Sequence, residues 1–428
     1  MDKKIGLWQA VSIAVGTMIG ASIFSVFGLG ARIAGHNLPL VFVISGALAL
    51  LVAYSYATLG AKIVSNAGPM EFILRGLGDG VLTGALSILS WLTYVISIAL
   101  FAKGFAGYLL PLLHLPATGL AVGVTEAGII GLFLAVNFLG PAAVGKAEFF
   151  IVLIKVGVLG VFVVLGLWTI RPGWLSPGFD PAQVKGTLYA VAVFFLSYMG
   201  FGLVTNASEN MVNPRRNVPR AIYLSILIVT LIYVAVATVA VGNLPLNALV
   251  RAQDFALAEA AKPFLGSAGY LLVSLGALFS IASALNATLY GGANIAYALA
   301  RDGELPEFFE RKGWFQASEG LYITAGLSLL FALAFDLNGI AAITSAVFMV
   351  IYLFVLVAHY RLAPRFGGNR PFIVFALAAV LAVFVLLMLY QWRTDQSAFY
   401  TTLAAFAASL GLEAIYRGIS RRALQERE

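Results

Sequence analysis

GTMIGASIFS, Gly16 to Ser25, lies in the middle of the first apolar run of the chain. Two glycines, an alanine and a serine stand where a membrane helix would use strong helix formers. Glycine tolerates almost any backbone angle and weakens a helix interior. At membrane depth an unpaired backbone group is costly, so a helix break survives only where it lines a cavity or meets a ligand. The spacing Gly16-x-x-x-Gly20 also suits tight helix packing, and taken alone the stretch does not separate the two readings. A second stretch of the same kind does. FFLSYMGFGLVTNAS (194–208) carries Gly200 and Gly202, then polar Thr205, Asn206 and Ser208. Paired Gly-interrupted segments in corresponding positions of two halves point to a transporter substrate site near the bilayer midplane. Helices one and six are therefore expected to be unwound there.

Composition supports a membrane setting. Of the 428 residues 61% are hydrophobic and 11% charged, against about half and a quarter in soluble domains. There is no cysteine, which excludes disulfides and thiolate chemistry. The three histidines, His36, His114 and His359, fall near segment ends, so neither a metal site nor a cofactor is expected. The apolar run after MDKKIGLW is long and lacks a clear small-residue cleavage site, so it reads as a retained span rather than a signal peptide.

A membrane helix needs about 20 apolar residues. Twelve candidate spans satisfy this: 7–34, 39–64, 80–112, 122–139, 145–170, 187–212, 217–243, 265–300, 320–336, 338–361, 371–391 and 397–417. The fold class is an all-α polytopic membrane protein with twelve transmembrane helices and no soluble domain. GPMEFILRGLGDG (68–80) and DGELPEFFERKGWF (302–315) look amphipathic and are expected at the membrane surface. Of the 26 lysines and arginines, eighteen fall on the side that holds both ends and six on the other, with Lys103 and Lys155 inside spans. The positive-inside rule puts both termini in the cytoplasm, of a multi-pass cell-membrane protein. The basic residues are scattered over loops rather than clustered with stacking aromatics, so no nucleic-acid partner is expected.

The breaks suggest a ligand. A half-helix starting at the first break aims free N–H groups and a positive dipole end at the cavity. A carboxylate would sit on the N–H groups around Gly20, Ala21, Ser22 and Ile23. Carbonyls of Leu196, Ser197 and Met199 in span six would take an ammonium group. Together these describe an α-amino acid. Phe194, Phe195, Tyr198 and Phe201 would form the walls, with no buried acid or arginine nearby, which suits a neutral side chain.

These motifs resemble a known family. GTMIGASIF is similar to the first-helix signature of the amino acid–polyamine–organocation (APC) superfamily. NPRRNVPRAI (213–222) resembles the loop after that family's sixth helix, and ALARDGELPEFF (298–309) the loop after its eighth. IVLIKVGVLG (151–160), with its buried lysine, narrows the resemblance to the superfamily's proton-coupled amino-acid transporters. The resemblance implies the LeuT-like fold: a first five-helix repeat over 1–170, a second, inverted repeat over 187–361, and helices eleven and twelve over 371–428. It implies amino-acid transport, with an amino acid, a proton and the lipid bilayer as partners. One departure is Leu196, where many members carry an aromatic lid; Phe194 or Phe195 is expected to serve instead.

Lys155 carries the most chemistry. It lies deep in span five among apolar neighbours, FFIVLIKVGVLGVFVV. An ionisable residue there is functional by default, and burial disfavours the charged form of an amine, which readies it to exchange a proton. In the resembled fold the fifth helix passes the first-helix break and the eighth helix, where sodium-coupled relatives hold an ion. A protonated Lys155 would replace that ion, meeting the carbonyls of Gly16 and Ile19 and the hydroxyls of Ser280 and Ser283. The competing reading is a structural ion pair with Glu148. Lys103 is expected to snorkel outward, Glu413 and Arg417 to pair one turn apart, and Asn286 and Asn294 to hydrogen-bond between helices.

The function expected is proton-coupled import of neutral amino acids with broad specificity, by alternating access. An amino-acid exchanger and a sodium symporter are the alternatives. A channel would need a continuous polar pore. An enzyme would need a nucleophile–base pair or metal ligands within the spans, which are lacking.

Overall fold

The computed structural model describes residues 5–65, 67–138, 141–301, 305, 307–313 and 318–420. Its helices are α1 (Leu7–Met18), α2 (Ala21–Phe24), α3 (Phe27–Ala34), α4 (Leu38–Gly60), α5 (Pro69–Leu77), α6 (Val81–Leu112), α7 (Gly119–Asn137), α8 (Pro141–Gly166), α9 (Pro181–Phe194), α10 (Leu203–Asn206), α11 (Pro214–Asn243), α12 (Leu246–Ala252), α13 (Ala256–Arg301), α14 (Glu319–Ala334), α15 (Leu337–Phe366), α16 (Arg370–Thr394) and α17 (Gln396–Ser420). Among the described residues there is no sheet, only isolated bridges such as Ile5 with Met211. Among the described residues ten helical stretches are long and apolar enough to cross a membrane; α1 and α14 are shorter apolar helices. Each of the twelve predicted spans overlaps helix among the described residues.

Burial sorts the helices. Most of α6 and α15 is buried, whereas α7, α16 and α17 turn most of their surface outward. The outward surface is apolar, with Leu120, Trp168 and Leu231 well exposed, as a lipid-facing wall requires. The inner helix α6 packs against α7, α13, α14, α15 and α17, while α4 pairs with α11 and α1 with α8 and α11.

Both predicted interruptions are present, in different forms. The first span breaks outright between Met18 and Ala21. Ile19 leaves the helical region at ψ 87°, and Gly20 takes φ −143°, ψ −143°. The sixth span does not unwind. Residues Phe195–Gly202 tighten into a 3₁₀ helix between α9 and α10, which keeps i→i+3 backbone pairing. The two segments touch at Gly200. A Cβ there would stand 2.9 Å from the Met18 backbone nitrogen and 3.0 Å from the Ala14 carbonyl oxygen, so this glycine serves close packing. In α13, Gly266 bends the chain at φ 61°, the left-handed region that favours glycine, and span eight starts there.

One surface expectation is corrected. α5 does not lie on the membrane; Phe72, Ile73 and Leu74 are buried and Gly76 abuts Ala358 of α15. Its apolar face is covered by protein rather than lipid. Part of 302–315 lies outside the described residues, and Phe309 within it packs edge-on to Trp91 at 5.2 Å. One end of the bundle gathers the N-terminal bridge of Ile5 to Met211, a Ser65–Ser208 contact at 3.0 Å, Lys62 on the Phe366 carbonyl, and Arg417 paired with Asp79. Arg417 also holds Glu413 at 3.2 Å, the local pair expected.

Lys103 is a further correction. It does not snorkel: its Nζ lies 2.9 Å from Oε1 of the fully buried Glu126 on α7. Leaving one charge of a buried pair alone costs about 3–5 kcal/mol. Lys103→Met is expected to lower the thermal unfolding temperature in detergent markedly, and Lys103→Met with Glu126→Leu to recover most of the loss. Equal melting of wild type and Lys103→Met would show that the pair carries no stability.

Candidate substrate site and buried lysine

Breaking α1 strands carbonyl groups, and buried carbonyls must find donors. Each finds one on another segment. Lys155 of α8, 1% exposed, donates from Nζ to the Gly16 oxygen at 2.5 Å and to the Ile19 oxygen at 3.2 Å. The Ser280 hydroxyl of α13 donates to the same Ile19 oxygen at 2.9 Å. The Met18 oxygen accepts from the Tyr233 hydroxyl of α11 at 2.5 Å and from Ser22 Oγ at 3.2 Å. Ser283 is buried one turn from Ser280 on α13. Helices α8, α11 and α13 thus converge on the carbonyls of Gly16, Met18 and Ile19 at the break. The competing Glu148 pair falls on a side chain outside the described residues.

Beside the gap lies a cavity of about 1020 Å³. Met18, Gly20 and Ser22 from the first break line it, with Leu196, Met199 and Gly200 from the 3₁₀ segment. Gly20 is backed closely: a Cβ there would meet Phe101 at 3.2 Å. The other predicted site residues lie elsewhere. Ala21 and Ile23 are fully buried outside the wall, and Ala21 packs toward Gly104 of α6. The expected aromatic walls also face away. Phe194 packs on Phe42, the Tyr198 hydroxyl donates to the Phe42 carbonyl at 2.8 Å, and Phe201 packs between Tyr56 and Tyr352. Phe195 packs on Tyr352 outside the wall, so neither Phe194 nor Phe195 takes the lid position; Leu196 lines the cavity itself. Ser197 is buried outside the wall, and its hydroxyl has no partner among the described residues.

The carbonyls of span six are less available than expected. Met199 O accepts from the Tyr352 hydroxyl at 3.2 Å, and Ser197 O from Tyr233 at 3.4 Å. Tyr233 therefore touches both interrupted segments. The aromatic lining instead includes Tyr94 and Phe101 of α6 and Phe348 and Tyr352 of α15. Sequence reasoning missed these because they belong to spans with no interruption to mark them. Asn286 accepts from Asn137 at 3.0 Å, an interhelical bond as expected, while Asn294 lines the cavity.

The cavity is one-sided. Beyond the break, Gln253 sits against Gly28 and Asp254 against Gly107, and the Tyr108 hydroxyl donates to the Phe24 carbonyl at 2.9 Å. These contacts close the end of the bundle that carries α12.

A site built from a helix break, with a buried lysine next to it and one closed end, suits a membrane transporter. The family model for amino acid permeases matches residues 5–410. The chain is 60% identical over 421 residues to an uncharacterized protein of Methanocaldococcus jannaschii, covering 98% of this chain and 97% of that one. It is 34% identical over 411 residues to the inner membrane transport protein YbaT of Escherichia coli, covering 96% and 95%. It is 26% identical to the branched-chain amino acid permease BcaP of Bacillus subtilis, covering 72% and 69%. The chain belongs to the amino acid permease family of the APC superfamily, whose members are transporters and not enzymes.

Ser22 is the residue of the α2 turn that lines the cavity with a side chain. Ser22→Val adds a branched methyl group where a carboxylate would approach, and the Met18 oxygen keeps Tyr233 as donor. Binding of L-alanine by the purified protein is expected to fall at least tenfold (about 1.4 kcal/mol), with little change in thermal stability. Wild-type affinity in the variant would remove the first break from the site.

Proposed function

We propose that this permease imports neutral amino acids together with protons by alternating access, with Lys155 acting as the protonation switch in place of a sodium ion. The observation that carries the proposal is the placement of the Lys155 ammonium on the Gly16 and Ile19 carbonyls. A cation at that point ties α8 to the break in α1, and Ser280 ties α13 to the same oxygen. Protonated lysine has three N–H donors, and charge-assisted bonds are about twice as strong as neutral ones. Loss of the proton weakens the clamp and lets α1 part from α8 and α13. Substrate bound at Gly20 and Ser22 sits against the other side of the same break, so its binding and the lysine's proton are coupled through one piece of backbone.

The wall near the break supports a neutral substrate. Among the described lining residues the charged ones are Glu71 and Arg301, both well away from Gly20. The half-helix N–H groups suit the carboxylate, and Leu196, Met199, Phe101 and Tyr352 suit an uncharged side chain. The two interrupted segments belong, in this reading, to inverted repeats over 1–170 and 187–361, with 371–428 added outside them. The positive-inside bias puts the cavity mouth and both termini on the cytoplasmic side of the cell membrane. The structure then corresponds to an inward-open state.

The test is Lys155→Ala in reconstituted vesicles with a near-neutral interior and the external pH stepped down by about two units, enough to span a lysine titrating inside a protein. Wild type is expected to concentrate L-alanine after the step. The variant is expected not to, and sodium is expected not to rescue it. Accumulation by the variant equal to wild type would refute the switch.

A further inference from the structure

The closed end of the bundle rests on one short segment. Gln253–Phe255 forms a 3₁₀ turn between α12 and α13, outside the expected spans 217–243 and 265–300. It packs on α3 and α6. Gln253 holds φ 46°, ψ −112°, a positive φ that a residue with a side chain adopts only under constraint. A Cβ built on Gly28 of α3 would stand 2.3 Å from the Gln253 carbonyl oxygen. The next residue, Asp254, presses on α6. A Cβ on Gly107 would lie 2.6 Å from Asp254 Cβ and 2.8 Å from its Oδ2. Closure of this end therefore sets a carboxylate directly on a helix backbone.

The surroundings do not favour a charge there. Among the described residues no hydrogen bond or ion pair reaches the Asp254 carboxylate. Lys103 of α6 is the cation that acts on it, and the Lys103 Nζ is taken by Glu126 at 2.9 Å. Asp336, which caps α15 through the Gly339 N–H at 2.8 Å, adds a like charge. The other titratable groups on the elements around the turn are turned elsewhere. Tyr108 of α6 donates to the Phe24 carbonyl at 2.9 Å. On α13, Lys262 holds Glu259 at 2.6 Å and lies over the Tyr270 ring at 4.5 Å. Arg32 of α3 and Arg251 of α12 are exposed. Burial pushes the Asp254 carboxyl up to about 6, with Asp336 adding to the rise and Lys103 opposing it. Lifted from Gly107 into water, it would return toward the ordinary carboxylate value of about 3.9.

Resting on alternating access as read above, we propose that Asp254 is a second proton-binding group, which takes a proton from the outer solution as this face closes over Gly107 and gives it back as the face opens. The proton enters and leaves on one side, so it adds nothing to the count carried by Lys155. It makes closure of the outer face a response to external acidity. The closed form, with the higher pKa, has its full advantage below about pH 4 and loses it as the pH rises through about 6.

The chain contains no cysteine, so single substitutions give unique thiols. Ser25 is buried behind the closed face against Gly104 of α6, and its hydroxyl has no partner among the described residues. Ser25→Cys reports opening of that face. Ser90 lines the cavity, and Ser90→Cys reports the opposite side. The experiment measures labelling of each by a hydrophilic thiosulfonate in the purified full-length protein. Each rate is divided by that of the same thiol in unfolded protein at the same pH. From about pH 7.5 to about pH 5 the ratio of Ser25→Cys to Ser90→Cys labelling is expected to fall about tenfold. Adding Asp254→Asn, which cannot ionise, is expected to lower the ratio at pH 7.5 at least tenfold and to remove the fall. A ratio in the parent pair that ignores pH would overturn the site without recourse to the Asp254 variant. A fall of the same size in Asp254→Asn would assign the titration to another group and overturn it equally. Should Ser25→Cys stay unlabelled at every pH, with and without L-alanine, the face does not open, and alternating access falls together with the site.

Discussion

Midway through its first span the regular helical pairing of the backbone stops, and the carbonyls of Gly16, Met18 and Ile19 each take a donor from another helix. The rest of the structure is arranged to meet them. Lys155 brings α8 to Gly16 and Ile19, Ser280 brings α13 to Ile19, and Tyr233 brings α11 to Met18. A buried unsatisfied polar group costs about 1–3 kcal/mol, so each donor holds its helix against the gap. A helix break in a membrane protein is in this sense an assembly point. In the proposed cycle it also makes the assembly conditional, because lysine, one of the three donors, is a titratable group.

The same gap opens on one side to a cavity of about 1020 Å³ and is shut on the other. The closed side depends on two glycines that admit a close neighbour, backbone at Gly28 and a side chain at Gly107. At Gly28 an added Cβ would lie 2.3 Å from the Gln253 carbonyl oxygen, and at Gly107 one would lie 2.6 Å from Asp254 Cβ. Opening that side requires the segment around Gln253 to lift from α3 and α6. In the proposed cycle, the clamp at the break and this packed face take turns at excluding water from the substrate. The buried pair of Lys103, one turn from Gly107 on α6, with Glu126 of α7 is separate from the clamp.

The parts of this arrangement that show in the sequence are those that break a local rule. GTMIG interrupts a helix, and Lys155 puts a charge where lipid depth forbids one, so both stood out. Their meeting could be read only through family resemblance, because no periodicity says which helices touch. Span six misled because glycine marks both unwinding and close contact, and Gly200 serves contact. Phe194, Phe195, Tyr198 and Phe201 misled because a 3₁₀ turn rotates side chains differently from an α-helix, and aromatics are too common in membrane cores to betray their direction. Tyr94, Phe101 and Tyr352 gave no signal at all. Glu126 did give one: a lone acid in span four calls for a partner, and Lys103 in span three was the available lysine.

The central claim is that one lysine exchanges one proton for each amino acid moved. Its most direct test is the equilibrium accumulation of L-alanine by wild-type protein in vesicles, measured against the imposed pH difference with the membrane potential clamped at zero. One proton per substrate supplies about 1.36 kcal/mol per pH unit. Accumulation should therefore rise about tenfold for each unit, with no dependence on sodium. Accumulation that ignores the pH difference, or that follows sodium instead, would contradict the account.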